Sequence, residues 1–154
     1  MKKTFLYRVK INKATEDNCR KWLDLCRILY NAALEQRILV YNQHKKSISV
    51  YEQMKQLVEL KVVFPEFKLI GSQVLQEVLQ RLEGAFQSFF RRLKQNSGKA
   101  GFPRFKGKDR YDSFTLKQAG WKLDGRYLYI KNIGRFKLFL SRAISGTIKT
   151  VTIR

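Results

Sequence analysis

The 154-residue sequence is short of most of what catalysis uses. It has two cysteines and one histidine. A disulfide scaffold needs more cysteine than that, and a structural zinc site needs four ligands drawn mostly from these two residue types. Cys19 and Cys26 stand seven apart, on one face of a predicted helix, while His44 lies well away beside Lys45 and Lys46. The cysteines therefore read as small core thiols, and no third group is placed to orient a Cys–His nucleophile.

Carboxylates are also scarce, 12 in all, and none forms a converging pair of the kind that acid–base or two-metal chemistry requires. Glu16 and Asp17 suit the positive end of a helix dipole. Glu77 and Glu83 suit a solvated helix face, and Asp109 and Asp112 suit local ion pairs in a basic loop. Gly98 and Gly101 lack the strand–turn–helix setting of a phosphate loop. No apolar run approaches the roughly 18 residues that cross a bilayer. Met1-Lys2-Lys3 leads into alternating residues rather than the apolar stretch of a signal peptide. The expected protein is cytoplasmic, holds no metal or cofactor, and is not an enzyme by itself.

What the chain has in excess is positive charge. Lys and Arg number 32, for a net charge of +20. So large an imbalance repels itself in a compact fold unless a polyanion neutralises it. Nucleic acid is the first such partner to consider and anionic lipid the second. The excess is uneven. Residues 1–83 carry 15 basic and 9 acidic side chains, whereas residues 84–154 carry 17 and 3. Hydrophobic residues at 44% and aromatics at 13% are ample for a folded core.

Periodicity divides the chain into strand, helices and strands. Phe5, Tyr7, Val9 and Ile11 alternate as one face of a strand. Thr15 is a plausible helix cap. Cys19, Trp22, Leu23, Cys26, Leu29, Tyr30, Ala33 and Leu34 then recur at helical spacing, predicting a helix to about Tyr41. Ser47 to Ser49 could cap a second helix bearing Tyr51, Met54, Leu57 and Val58, ended by Phe64-Pro65. A third, starting near Gly71-Ser72, carries the stripe Leu75, Val78, Leu79, Leu82, Phe86, Phe89, Phe90 and Leu93. Asn96 to Gly101 predicts a break. Extended segments follow at 113–116, 121–130, 134–140 and 146–154, with Asp124-Gly125 predicting a type I′ hairpin turn. A lone N-terminal strand needs partners, so it is expected to pair with the C-terminal strands, making the helices an insertion into a barrel-like sheet.

Gly101-Phe102-Pro103-Arg104-Phe105-Lys106-Gly107-Lys108 interleaves aromatic planes with cations. Such a loop can stack bases, at about 1–3 kcal/mol each, and bind phosphates. Phe102 and Phe105 could equally anchor the loop to the core. In Phe89-Phe90-Arg91-Arg92 the aromatics are expected in the core and the arginines on the surface.

Several of these strings occur together, in order, in a known family. They are Tyr30-Asn31, Ser72-Gln73-Val74-Leu75-Gln76, Ala85 to Arg92, the Gly101 to Lys106 string, Ser113-Phe114-Thr115-Leu116, Ile133-Gly134 and Gly146-Thr147-Ile148-Lys149. The chain resembles the N-terminal half of TnpB (OrfB) proteins, transposon-encoded RNA-guided DNA nucleases related to type V CRISPR effectors. The resemblance implies an α+β fold: an oligonucleotide-binding-like wedge β-barrel, residues 1–13 and 97–154, interrupted by an inserted three-helix recognition domain, residues 14–96, that is helix-turn-helix-like.

It also implies guide RNA and double-stranded DNA as partners, with the protein reading a short duplex motif and base pairing reading the rest. Carried over motif by motif, the DNA-motif contacts fall on Tyr51, Lys55, Ser72, Gln73, Gln76, Thr115 and Leu116. Gln76 can pair bidentately with adenine. RNA and phosphate contacts are assigned to Arg91, Arg92, Arg104, Phe105, Lys106 and Lys108. Cutting in the family belongs to a RuvC-like nuclease domain that would begin near Val151 to Arg154, so a nuclease domain or chain acting in trans is a further expected partner. The alternative is a stand-alone basic DNA-binding module of transposon origin, which would bind its element without RNA.

Overall fold

A computed structural model describes residues 1–95 and 100–154 of the chain. Of the predicted break at Asn96 to Gly101, residues 96–99 lie outside the described residues, and so does the domain boundary set there. The expected order of strand, helices and strands is observed, in an α+β fold: β1 (Arg8–Lys10), α1 (Lys13–His44), α2 (Val50–Lys55), α3 (Leu57–Val63), α4 (Ser72–Gln95), then β2 (Phe114–Leu116), β3 (Trp121–Asp124), β4 (Tyr127–Ile130), β5 (Gly134–Phe139) and β6 (Val151–Ile153).

The N-cap of α1 is Asn12 rather than Thr15. The Asn12 Oδ1 accepts a hydrogen bond from the Thr15 amide at 2.8 Å. Asparagine caps as well as threonine does, and Thr15 is already buried against the start of β5. Downstream, the predicted stripe of α1 is the buried one, with only Leu23 partly open. Lys45, in the left-handed conformation at φ 53°, closes the helix through its amide to the Tyr41 carbonyl at 2.8 Å. Ser49 caps α2 as expected, its Oγ accepting from the Glu52 amide. The predicted second helix divides at Gln56 into α2 and α3, and a short 3-10 turn, Pro65–Leu69, leads into α4.

Helix α4 crosses α1 and α2 and supplies the centre of the core, where Val74, Leu75, Val78, Leu79 and Leu82 are sealed from solvent. Its stripe outruns its partners: Phe90 and Leu93, expected in the core, are 58% and 54% exposed. A polar network runs through the helical layer as well. Arg37 of α1 reaches Glu83 of α4 at 2.7 Å and donates through Nε to the buried Gln53 of α2 at 2.9 Å. Gln53 donates in turn to the Ala33 carbonyl and to Gln36. The Arg37 guanidinium also lies 4.9 Å from the Phe86 ring centroid, so its charge is both paired and stacked.

The first strand does find its partner at the far end of the chain. The four-stranded antiparallel sheet has the order β1-β5-β4-β3, with Arg8 opposite Phe139. Of the predicted strand only Arg8–Lys10 pairs in the ladder. β2 and β6 form a separate two-stranded sheet against α4. The apolar core is continuous from the helices to Leu128, Ile130 and Phe136 of the larger sheet and to Ile133 in the turn before β5. At the hairpin, Asp124 pairs with Tyr127, leaving Gly125-Arg126 as the loop with positive φ at Gly125 alone. That is the type II′ pattern, one residue along from the predicted turn.

Gly134, at φ 143°, lets β5 start directly on α1. A Cβ there would collide with the Thr15 hydroxyl. The neighbouring Ile133 carbonyl accepts from Asn18 Nδ2 at 2.9 Å.

Candidate nucleic-acid interface

Of the residues expected to face duplex DNA, Ser72, Gln73 and Gln76 lie on the N-terminal half of α4, and Thr115 lies on the strand packed against that helix. Gln73 turns its Oε1 to the backbone amides of Gln118 and Ala119, at 3.0 and 3.3 Å, and so holds the β2–β3 loop. One turn on, Gln76 is exposed, and Gln80 accepts from Lys117 Nζ at 3.2 Å. Arg81 donates to the Ser113 carbonyl at 2.9 Å and to Thr115 Oγ1 at 3.2 Å, while Thr115 Oγ1 also meets Thr152 Oγ1 across the β2–β6 pair. Gln73, Gln76 and Thr115 thus border one seam between α4 and β2.

Ser72 accepts from Lys61 Nζ at 2.7 Å. On α2, Tyr51 and Lys55 are exposed one turn apart, Tyr51 by 73%. Leu116 departs from the expectation. Its side chain is 1% exposed and belongs to the core, because alternation along β2 turns Phe114 and Leu116 inward and Thr115 outward. Gln73 is likewise already committed through its oxygen, leaving its NH₂ group to donate.

The second set lies where the loop 101–108 crosses the far half of α4. Asn31 of α1 clamps the loop. Its Nδ2 donates to the Lys106 carbonyl at 2.8 Å and its Oδ1 accepts from the Lys106 amide at 2.7 Å. Phe102 sets its ring edge-on to Phe86 and Phe89, at 5.5 and 5.3 Å, a favoured aromatic geometry. Both phenylalanines of the loop stay open, Phe102 by 46% and Phe105 by 55%, and Phe102 is the one whose ring packs on the aromatics of α4. Arg104 and Lys108 are exposed beside it, and Arg91 and Arg92 are exposed on the last described turns of α4. Lys106 is half-buried, with Nζ 5.6 Å from the centroid of Tyr30.

Sequence reasoning missed Phe90, whose open ring joins this basic surface, and gave Asn31 no role. The helical period placed Phe90 in the core, and nothing in a polar side chain midway along a helix announces a partner 75 residues away.

Electrostatics separates the two halves of the chain. Among the described residues the ion pairs are Lys13–Asp17, Glu16–Arg20, Asp24–Arg27, Arg37–Glu83 and Glu77–Arg81. All lie in α1 and α4, and none uses a cation beyond Arg81. Burial pushes the Cys26 thiol up to about 12, which Arg81 partly opposes. It pushes Cys19 up to about 11, with Glu16 adding to the shift. Both are neutral thiols near pH 7, unsuited to attack or metal ligation in that form. No group of three or more His, Cys, Asp or Glu able to hold a metal occurs among the described residues, and no helix among them is long and apolar enough to cross a membrane.

Two comparisons with known proteins bear on this arrangement. The OrfB IS605 family, described as a helix-turn-helix domain, matches residues 1–46. In this chain that stretch is β1 and α1, one strand and one long helix, and the next helix begins at Val50. The Escherichia coli (strain K12) protein "Putative RNA-guided DNA endonuclease InsQ" is 30% identical over 159 residues, covering 99% of this chain. The chain spans 38% of that relative's length. Both similarities are to the family that the ordered motifs resemble.

Proposed function

We propose that the chain is the nucleic-acid-binding part of an RNA-guided DNA nuclease. The loop 101–108 and the end of α4 hold a guide RNA, through Arg91, Arg92, Arg104, Phe105, Lys106 and Lys108. The seam of α4 and β2, with Tyr51 and Lys55 of α2, reads a short duplex motif. In this assignment the sheet strands act as a wedge around the helical recognition insert. Gln76, exposed on α4, is the base reader. Phosphodiester cleavage belongs to a RuvC-like nuclease domain or chain rather than to these residues, and the working site is the cytoplasm.

The observation that carries this is the set of cations from Arg91 onward, without ion pairs among the described residues and interleaved with the open rings of Phe90 and Phe105. Unneutralised charge gives salt-dependent phosphate affinity, and open rings give base stacking. The name of the E. coli relative supports the same reading.

The test is to purify the chain from its native host and sequence the nucleic acid that accompanies it. One discrete RNA supports a dedicated guide; a smear of unrelated RNA and DNA refutes it. A footprint on its own element that survives ribonuclease would favour the stand-alone DNA-binding module instead.

A further inference from the structure

A cleft of about 330 Å³ opens between α1, the middle of α4 and the segment 106–112. It lies at the lower end of the range for small-ligand pockets, about 300–1,000 Å³, room for one nucleotide and not for a duplex. Its floor on α4 is built of small residues, Gly84, Ala85 and Ser88, and Tyr30 forms part of one wall. Lys106 and Arg110 stand at it without ion pairs among the described residues, while Arg81, also lining it, is held by Glu77, Ser113 and Thr115. The single carboxylate is Asp112, so the lining is positive on balance.

Gly84 is the feature that packing does not explain. A glycine in a helix interior costs stability relative to alanine. Here a Cβ would meet nothing within 4 Å, so no neighbour in the fold requires the missing side chain. The space kept clear is above the floor of the basic cleft.

We propose that this cleft seats one nucleotide of a bound RNA strand. The phosphodiester lies between Lys106 and Arg110, and the ribose rests on the Gly84–Ser88 floor, where only a residue without a side chain allows close approach. The seat rests on the RNA-binding function proposed above and makes one position of that surface a shaped socket rather than a diffuse field. The Asn31 clamp fixes Lys106 at its rim.

The test uses the full chain and a single-stranded dodecamer of oligouridylate, titrated by fluorescence anisotropy at several salt concentrations. Gly84→Leu fills the cleft and leaves every cation in place. It is expected to weaken binding about tenfold and to lower the salt slope by about 0.7, the value of one phosphate on a single strand. Arg110→Gln is expected to do the same, and the double variant no more than either alone. Gly84→Gln serves if the leucine variant does not fold. Wild-type affinity and slope in a folded Gly84→Leu or Gly84→Gln variant overturn the cleft while leaving RNA binding intact. Failure of the unaltered chain to bind the dodecamer overturns both.

Discussion

The Asn31 clamp is one of two tethers that hold the basic loop, and Asn31→Ala removes it. The two hydrogen bonds to Lys106, at 2.8 and 2.7 Å, are neutral amide pairs in a partly buried setting. Each is worth about 1 kcal/mol net, so their joint loss comes to about 2 kcal/mol. The loop keeps its second tether, Phe102 against Phe86 and Phe89, and the loss is therefore local. With each 1.4 kcal/mol equal to a factor of ten, the opening equilibrium of the segment around Lys106 rises about 30-fold. Amide hydrogen exchange, followed on Lys106 and on core amides such as Leu79, reads this directly. The Lys106 amide should exchange about 30-fold faster while the core amides keep their rates. RNA affinity should fall by up to the same factor, because binding must then order the loop. Asn31→Asp, which can still accept from the amide but repels the carbonyl, should fall between. Unchanged exchange at Lys106, or an equal rise at every amide, would refute the clamp as a local fastener.

Other consequences follow from contacts inside the fold. Gly134→Ala drives a methyl into the Thr15 hydroxyl at a positive φ, with an expected loss of about 2–4 kcal/mol. Adding Thr15→Ala should recover part of it, and simple additivity in urea melts would contradict the collision. Arg37→Met keeps the stem near Phe86 but abandons Glu83 and Gln53. The expected cost is about 2 kcal/mol, below the roughly 3–5 kcal/mol of a fully buried pair because Glu83 retains some solvent; equal or greater stability in urea would contradict it. Cys19 and Cys26 ionise later folded than unfolded, since burial raises them to about 11 and 12 from 9.0. The unfolded chain therefore releases those protons first, so their contribution is complete below about pH 9 and declines as pH rises from there towards 12. The Cys19→Ala, Cys26→Ala double variant should show a shallower alkaline fall in stability between pH 9 and 11, and an identical slope would contradict the assignment.

Helical periodicity made the inner half of α4 legible, from Leu75 to Phe86, because the same residues pack on α1 and α2. It misplaced Phe90 and Leu93, since a stripe records which side of a helix is apolar and not where the facing surface ends. The meeting of the first strand with β5 followed from the instability of a lone strand, but the alternation over Phe5 to Ile11 overstated a ladder of three residues. In the candidate interface the exposure of Gln76 was readable from helical phase and that of Arg91, Arg92 and Arg104 from charge, whereas Tyr51 and Val58, counted with the apolar residues of the second helix, are 73% and 74% exposed. Leu116 was misread because the motif carried it as a pair with Thr115, whereas a strand sends the two to opposite sides. Asn31 and Arg37 had no readable partners, since their contacts join elements far apart in sequence and leave no mark on local pattern.

Because β1 pairs with β5, and the Tyr7 hydroxyl reaches the Arg142 carbonyl across 135 residues, the first strand emerges during synthesis long before its partner. The helices and the β3–β4–β5 meander can form from nearby contacts, but pairing by β1 must await the synthesis of β5, with the slow search that distant pairing brings. Until then β1 has no partner, and in the finished sheet it is still an edge strand, paired with β5 alone. Arg8 and Lys10 place like charges on it, and Lys2 and Lys3 precede it, which discourages one nascent chain from zipping onto another. The basic N-terminus thus guards a newborn chain as well as adding to the charge of a finished one.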